Sequence, residues 1–136
     1  MKKTAFKPAV PLLWCCAFIF AAAPVAHAEL VQKSQQQGFA SWYGEEHRGR
    51  LMANGHRFDP DKFTAASWFY PLGTHVRVTI SSPHFESRSV MVTITDRGPA
   101  KDLVQQGRVI DLGRAAFQKI AHPDLGLVAV VVEPVR

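Results

Sequence analysis

The chain has only two cysteines, Cys15 and Cys16, and both fall inside its first apolar run. Beyond that run there is no thiol, so no disulfide can staple the rest, which must be held by its core alone. Basic runs are also missing. The arginines are scattered, which leaves nothing to track a phosphate backbone and excludes nucleic acid as an expected partner. The histidines beyond the first run, at 47, 56, 75, 84 and 122, show no pair at ligand spacing. No metal and no cofactor is therefore expected. There is no internal repeat, and no second domain is expected after the last strand-like run.

What is present begins with an export pattern. Lys2, Lys3 and Lys7 precede the apolar stretch "AVPLLWCCAFIFAAAPVA", and "AHA" at 26–28 is a small-x-small cleavage site. This reads as a signal peptide, residues 1–28, cut after Ala28, with no stable membrane span left behind. Leu13 and Trp14 stand where a lipid-attachment site needs small residues, so a lipoprotein is not expected. Loss of the three lysines lowers the formal net charge from +5 to +2, leaving a mixed surface. The expected location is the periplasm or cell envelope. "ELVQKSQQQ" (29–37) reads as a flexible leader, and one domain follows over 38–136.

Within that domain, "GFASWYG" (38–44) reads as a strand. Residues 45–62 carry turn signals in series at Gly49, Asn54-Gly55 and Asp59-Pro60, which predict a long ordered loop or tight hairpin. "FTAAS" (63–67) reads as a helical turn. "THVRVTI" (74–80) and "VMVTIT" (90–95) alternate with period two and predict strands. "RVIDLG" (108–113) is short and apolar. Leu112, Ala115, Ala116 and Ile120 share a helical face, and 125–135 is a valine-rich final strand. Strands dominate and no disulfide is available, so closure of a small all-β barrel best buries the core and removes edges. A sandwich is the alternative.

"ASWYG", "ANGHRFD", "TAAS…PLGTHVRVT", "VTITDRGP" and "RVIDLGRAAF" follow one another in order. Together they resemble the rare lipoprotein A (RlpA-like) family over about residues 38–133. The resemblance implies a six-stranded double-psi β-barrel with one or two short helices, shared more distantly with expansins and barwin-like proteins. It implies peptidoglycan glycan strands as substrate. Characterised members are lytic transglycosylases that cut strands stripped of stem peptides. It also implies division or wall-remodelling proteins as partners.

Cutting the bond between N-acetylmuramic acid and N-acetylglucosamine needs an acid to protonate the leaving oxygen. The same group can then accept the proton of the muramyl C6 hydroxyl as the 1,6-anhydro ring closes. The resemblance puts Asp96, in "TDRGP", in that role. Its bland alternative is a turn aspartate bonded to its own backbone. Asp111 matches a groove aspartate of expansins, or else caps the following helix. Two departures stand out. His56 occupies the position of a usual glutamate, and Ser67 that of a usual histidine. Asp96, His56 and Ser67 are thus the catalytic candidates, and Ser41, Tyr43, Trp68, Asp111 and Arg97 the substrate-binding ones. Trp42, Tyr43, Trp68, Phe69 and Tyr70 are dense enough to line a glycan groove, with Trp42 or Phe69 the natural core members. Arg97 and Arg108 can pair with the two aspartates. The altered positions leave a second reading open, a non-catalytic, expansin-like module that binds and loosens wall glycan.

Overall fold

The structure is a computed structural model and describes residues 35–83 and 86–135. The expected signal peptide, most of the leader, and His84 lie outside the described residues. Six strands are formed: β1 (Gln36–Tyr43), β2 (Thr64–Ala66), β3 (His75–Ile80), β4 (Ser89–Asp96), β5 (Arg108–Gly113) and β6 (Val128–Pro134). Two short helices, α1 (Lys101–Gln105) and α2 (Arg114–Ile120), flank β5, and single 3-10 turns span Glu45–His47 and Pro123–Leu125.

The strands close into a barrel in the order β1-β5-β2-β4-β3-β6, which sets aside the sandwich. Pairs β1/β5 and β2/β4 run parallel, and the other four pairs run antiparallel. The alternation read in the sequence is what fills the barrel. Val76, Val78 and Ile80 of β3 turn inward, as do Val90, Val92 and Ile94 of β4 and Val128, Val130 and Val132 of β6. Val78 lies opposite both Val90 and Val132, so three strands share one layer of β-branched side chains. Phe117 and Ile120 of α2 join Ile110 and Leu112 of β5 in the same core. Burying each such side chain contributes about 1.5–3 kcal/mol.

Four local expectations change. "FTAAS" is not a helical turn: Ala65 and Ala66 are buried in β2, held on one side by β4 and on the other by β5. Two neighbours supply hydrogen bonds that a three-residue strand could not justify alone. Asp111 is not a helix cap. It lies within β5, and the residue before α2 is Gly113, which makes no side-chain capping bond. The ordered barrel begins at Gln36 rather than Gly38, because Gln36 and Gln37 pair with Val132 and Val131. Helix α1 was not foreseen. The turn-rich segment 45–62 is ordered as expected, with a bridge between Leu51 and Arg57. It folds over the end of β4, where Asn54 donates its N–H to Thr95 O at 3.1 Å.

Candidate active site

The strand registers bring the acidic residues together. Ala66 pairs with Asp96 of β4 on one side and with Asp111 of β5 on the other, and Asp111 in turn pairs with Ser41 of β1. One row therefore runs Asp96, Ala66, Asp111, Ser41 across four adjacent strands. At a strand spacing of about 4.8 Å, the two aspartate backbones stand roughly 10 Å apart with only a methyl between them. A groove of about 460 Å³ opens over this row. Its walls are the 43–58 segment (Tyr43, His47, Arg50, Leu51, Met52, Phe58) and the turn from Asp96 into α1 (Asp96–Ala100, Leu103). Ala66 and Asp111 also line it.

The two carboxylates have different surroundings. Asp96 Oδ1 accepts backbone N–H groups from Ala53 at 2.9 Å and Arg97 at 2.8 Å. The first of these ties the overlying loop to the end of β4. Asp111 accepts the hydroxyl of the buried Ser41 on Oδ1. Burial pushes the Asp111 carboxyl above its ordinary pKa, partly offset by the Ser41 bond and by the Arg108 charge. Its second oxygen borders Gly98, where a Cβ would sit 3.6 Å from Oδ2 and 3.2 Å from Ala66 Cβ. The missing side chain at Gly98 keeps that oxygen open to the groove.

Tyr43 is placed differently from a stacking platform. Its ring packs on Phe58 at 4.4 Å between centroids and meets His47 edge-on at 5.8 Å. Its hydroxyl is buried and has no hydrogen-bond partner among the described residues. Burial first, then the charges of Asp96 and Asp111, hold its pKa well above the usual phenol range. It thus stays a neutral phenol within the field of both carboxylates.

Arg97 lines the groove but makes no ion pair with Asp96 among the described residues. Its guanidinium donates to the carbonyls of Ser67 at 3.0 Å and Tyr70 at 2.8 Å, bracing the turn against the 67–70 segment. Trp68 is 47% exposed at the rim. Its indole N–H donates to Pro99 O at 2.6 Å, and Lys101 Nζ lies 5.9 Å from its ring. Phe69 is also exposed, at 41%, while Tyr70 is buried and Trp42 packs against the core. Of the two expected core aromatics, Trp42 is the one that goes inside.

Two expected catalytic positions do not reach the groove. Ser67 is fully buried, donating to Val109 O at 3.0 Å and accepting from Phe69 N. Ala66 faces the groove, so the next residue of the extended chain points away from it. His56 is exposed on the far side of the Ala53–His56 turn. There it borders a separate depression with Asn54, Leu72, Gly73 and Thr93. In their place the groove gains His47, Arg50, Met52 and Gly98. Only Gly98 carried a signal in the sequence, through its place in "DRGP". Among the described residues no cluster of His, Cys, Asp and Glu is arranged to hold a metal ion.

A family model described as lytic transglycolase matches residues 35–132. The chain belongs to the lytic transglycolase family. Among its relatives, the endolytic peptidoglycan transglycosylase RlpA of Neisseria meningitidis is 37% identical over 105 residues, covering 77% of this chain and 41% of that protein. RlpA of Yersinia pestis is 45% identical over 89 residues, or 65% of this chain and 23% of that protein. The chain thus spans less than half the length of these relatives. Among solved structures, the Streptomyces papain inhibitor superposes with a TM-score of 0.56 at 27% identity, covering 75% of this chain and 94% of that one. A mutant Clavibacter michiganensis expansin in complex with cellohexaose gives 0.54 at 18% identity, covering 75% and 50%, a likeness of fold. Within this family the closed six-stranded barrel is the double-psi β-barrel that the motifs implied.

Proposed function

We propose that this domain is an endolytic peptidoglycan lytic transglycosylase acting on peptide-stripped glycan strands in the cell envelope. One observation carries the reading: Asp96 and Asp111 face a single groove from strands on either side of Ala66, and burial keeps one of them inclined to hold a proton. Family membership and the RlpA relatives support the same chemistry.

The acid role passes from Asp96 to Asp111. Protonated Asp111 gives its proton to O4 of N-acetylglucosamine as the C1–O4 bond breaks. The muramyl C6 oxygen attacks C1, forming the C1–O6 bond of the anhydro ring, and its proton leaves to a base. Asp96, held by two backbone donors, faces the ring as positive charge develops at C1. Tyr43 supplies a neutral phenol within the field of both carboxylates. Trp68 at the rim offers an exposed ring to the apolar face of a pyranose. His56 and Ser67 lie outside the groove, so their departure from the family pattern leaves this pair intact. The pattern of residues 1–28 supports export to the compartment where the substrate lies, and wall-remodelling or division proteins fit as partners there.

The test is digestion of amidase-stripped glycan strands followed by mass spectrometry. The wild type is expected to leave 1,6-anhydromuramyl ends. Asp111→Asn is expected to lower turnover about 10²–10⁴-fold, the worth of a positioned acid. Strands that are bound but uncut at high protein loading would refute the enzyme and favour the expansin-like module.

A further inference from the structure

The muramyl C6 hydroxyl needs a proton acceptor, and besides the two aspartates the groove holds a side chain of that chemistry that no motif marks. The geometry points to His47 as that base, with Glu46 as the residue that orients it. This inference rests on the transglycosylase reading above.

His47 ends the 3-10 turn that follows β1 and lines the groove opposite the turn carrying Asp96 and Gly98. Its ring stands edge-on to Tyr43, whose hydroxyl end lies near both carboxylates. The ring is fixed from behind: Nδ1 lies 2.9 Å from Glu46 Oε1, and the same oxygen accepts the N–H of the buried Gly44 at 3.1 Å. The backbone N–H groups of Glu46 and Gly44, and then the imidazole, hold the Glu46 carboxyl below its ordinary pKa. An ionised carboxylate only accepts, so Nδ1 must be the donor. In the neutral ring this leaves the lone pair on Nε2, which has no hydrogen-bond partner among the described residues. The side chain is 36% exposed, open enough for a bound sugar to reach.

The proton balance closes. Asp111 loses one proton to the leaving O4, and His47 Nε2 gains one from the C6 hydroxyl as C1–O6 forms. The imidazolium sits beside the Glu46 carboxylate, and one proton exchanged with solvent resets both groups. Glu46 also offsets the charge of this imidazolium, so a cation in the groove does not force the proton off Asp111.

Turnover on amidase-stripped strands is compared for wild type, His47→Phe, His47→Ala and Glu46→Gln. His47→Phe keeps a ring against Tyr43 but removes both nitrogens. It is expected to melt near the wild type, to sediment with glycan as before, and to lose about 10²–10⁴-fold in kcat. His47→Ala is expected to recover at least about tenfold on addition of free imidazole, which a packing role would not produce. Glu46→Gln is expected to lower kcat with KM unchanged. A wild type that leaves no anhydro ends overturns the transglycosylase reading and this inference together. An active wild type with an equally active His47→Phe overturns the inference alone. If His47→Phe fails to fold, imidazole rescue of His47→Ala decides: rescue supports His47 as the base, and its absence overturns it.

Discussion

Replacing Ser41 with alanine should weaken the protein by an amount that grows with pH. Ser41 is buried and its hydroxyl donates to Asp111 Oδ1. Burial raises the Asp111 pKa, and this bond holds it down. The unfolded chain keeps an ordinary value, about 3.9. The wild-type carboxyl thus favours the folded state below that value, and the benefit is lost as pH rises through the folded pKa. Without the hydroxyl the folded pKa moves further up. At low pH, with Asp111 protonated in both states, the variant loses a neutral hydrogen bond, about 0.5–1.5 kcal/mol. Above the folded pKa it loses a bond to a charged group, about 1.5–3 kcal/mol. For a domain near 100 residues each kcal/mol moves Tm by about 4–8 °C. The deficit should therefore be roughly 2–12 °C in acid and roughly 6–24 °C at neutral pH. Urea unfolding at a series of pH values measures it directly. Activity provides a second signature: Asp111 keeps its proton to higher pH, so the alkaline limb of kcat should move upward. A deficit that stays constant or shrinks as pH rises refutes the role of the Ser41 bond in holding down the raised Asp111 pKa.

Gly98→Ala places a methyl 3.2 Å from Ala66 Cβ and over Asp111 Oδ2. Turnover should fall roughly 10- to 100-fold while Tm moves by less than about 4 °C, read by the anhydro-end assay and a thermal melt. Trp68→Ala should weaken glycan binding roughly 2- to 12-fold, the worth of one stacked ring, in a sedimentation assay; unchanged binding would remove the rim from the site. Gly38→Ala would set a Cβ 2.3 Å from Gly107 O and 2.6 Å from Val109 Cγ1. Because one of these is backbone, the β1–β5 pairing must shift, and a loss of about 3 kcal/mol or more is expected in chemical denaturation.

Strands that bury one face were legible because alternation is a local property. β3, β4 and the core of β6 follow directly from Val76-x-Val78-x-Ile80, Val90-x-Val92-x-Ile94 and Val128-x-Val130-x-Val132. β2 was not legible. Ala65 and Ala66 have no strand signature, and their extended form is imposed by β4 and β5. Asp111 before a helical pattern resembles a cap, and only the pairing of β5 with both β1 and β2 shows that the strand continues through Gly113. His47 carries no motif, and its partner Glu46 is merely the preceding residue.

The sequence by itself determined an all-β domain, through valine-rich alternation in a part with no cysteine to staple it, while closure into a barrel rather than a sandwich rests on the strand order. It also determined the groove candidates Asp96, Asp111, Tyr43, Ser41 and Arg97, which stand in recognisable motifs. Tertiary structure alone decided which side chains share the groove. A side chain's direction depends on the parity of its strand position and on the register with neighbours distant in sequence. That parity sends Ser67 into the wall while Ala66 looks out, and loop packing leaves His56 on the far side of its turn. Register sets Asp96 and Asp111 on either side of one alanine. Burial, which no local pattern reports, then raises the pKa of Asp111, while Asp96 is held by the backbone N–H groups of Ala53 and Arg97.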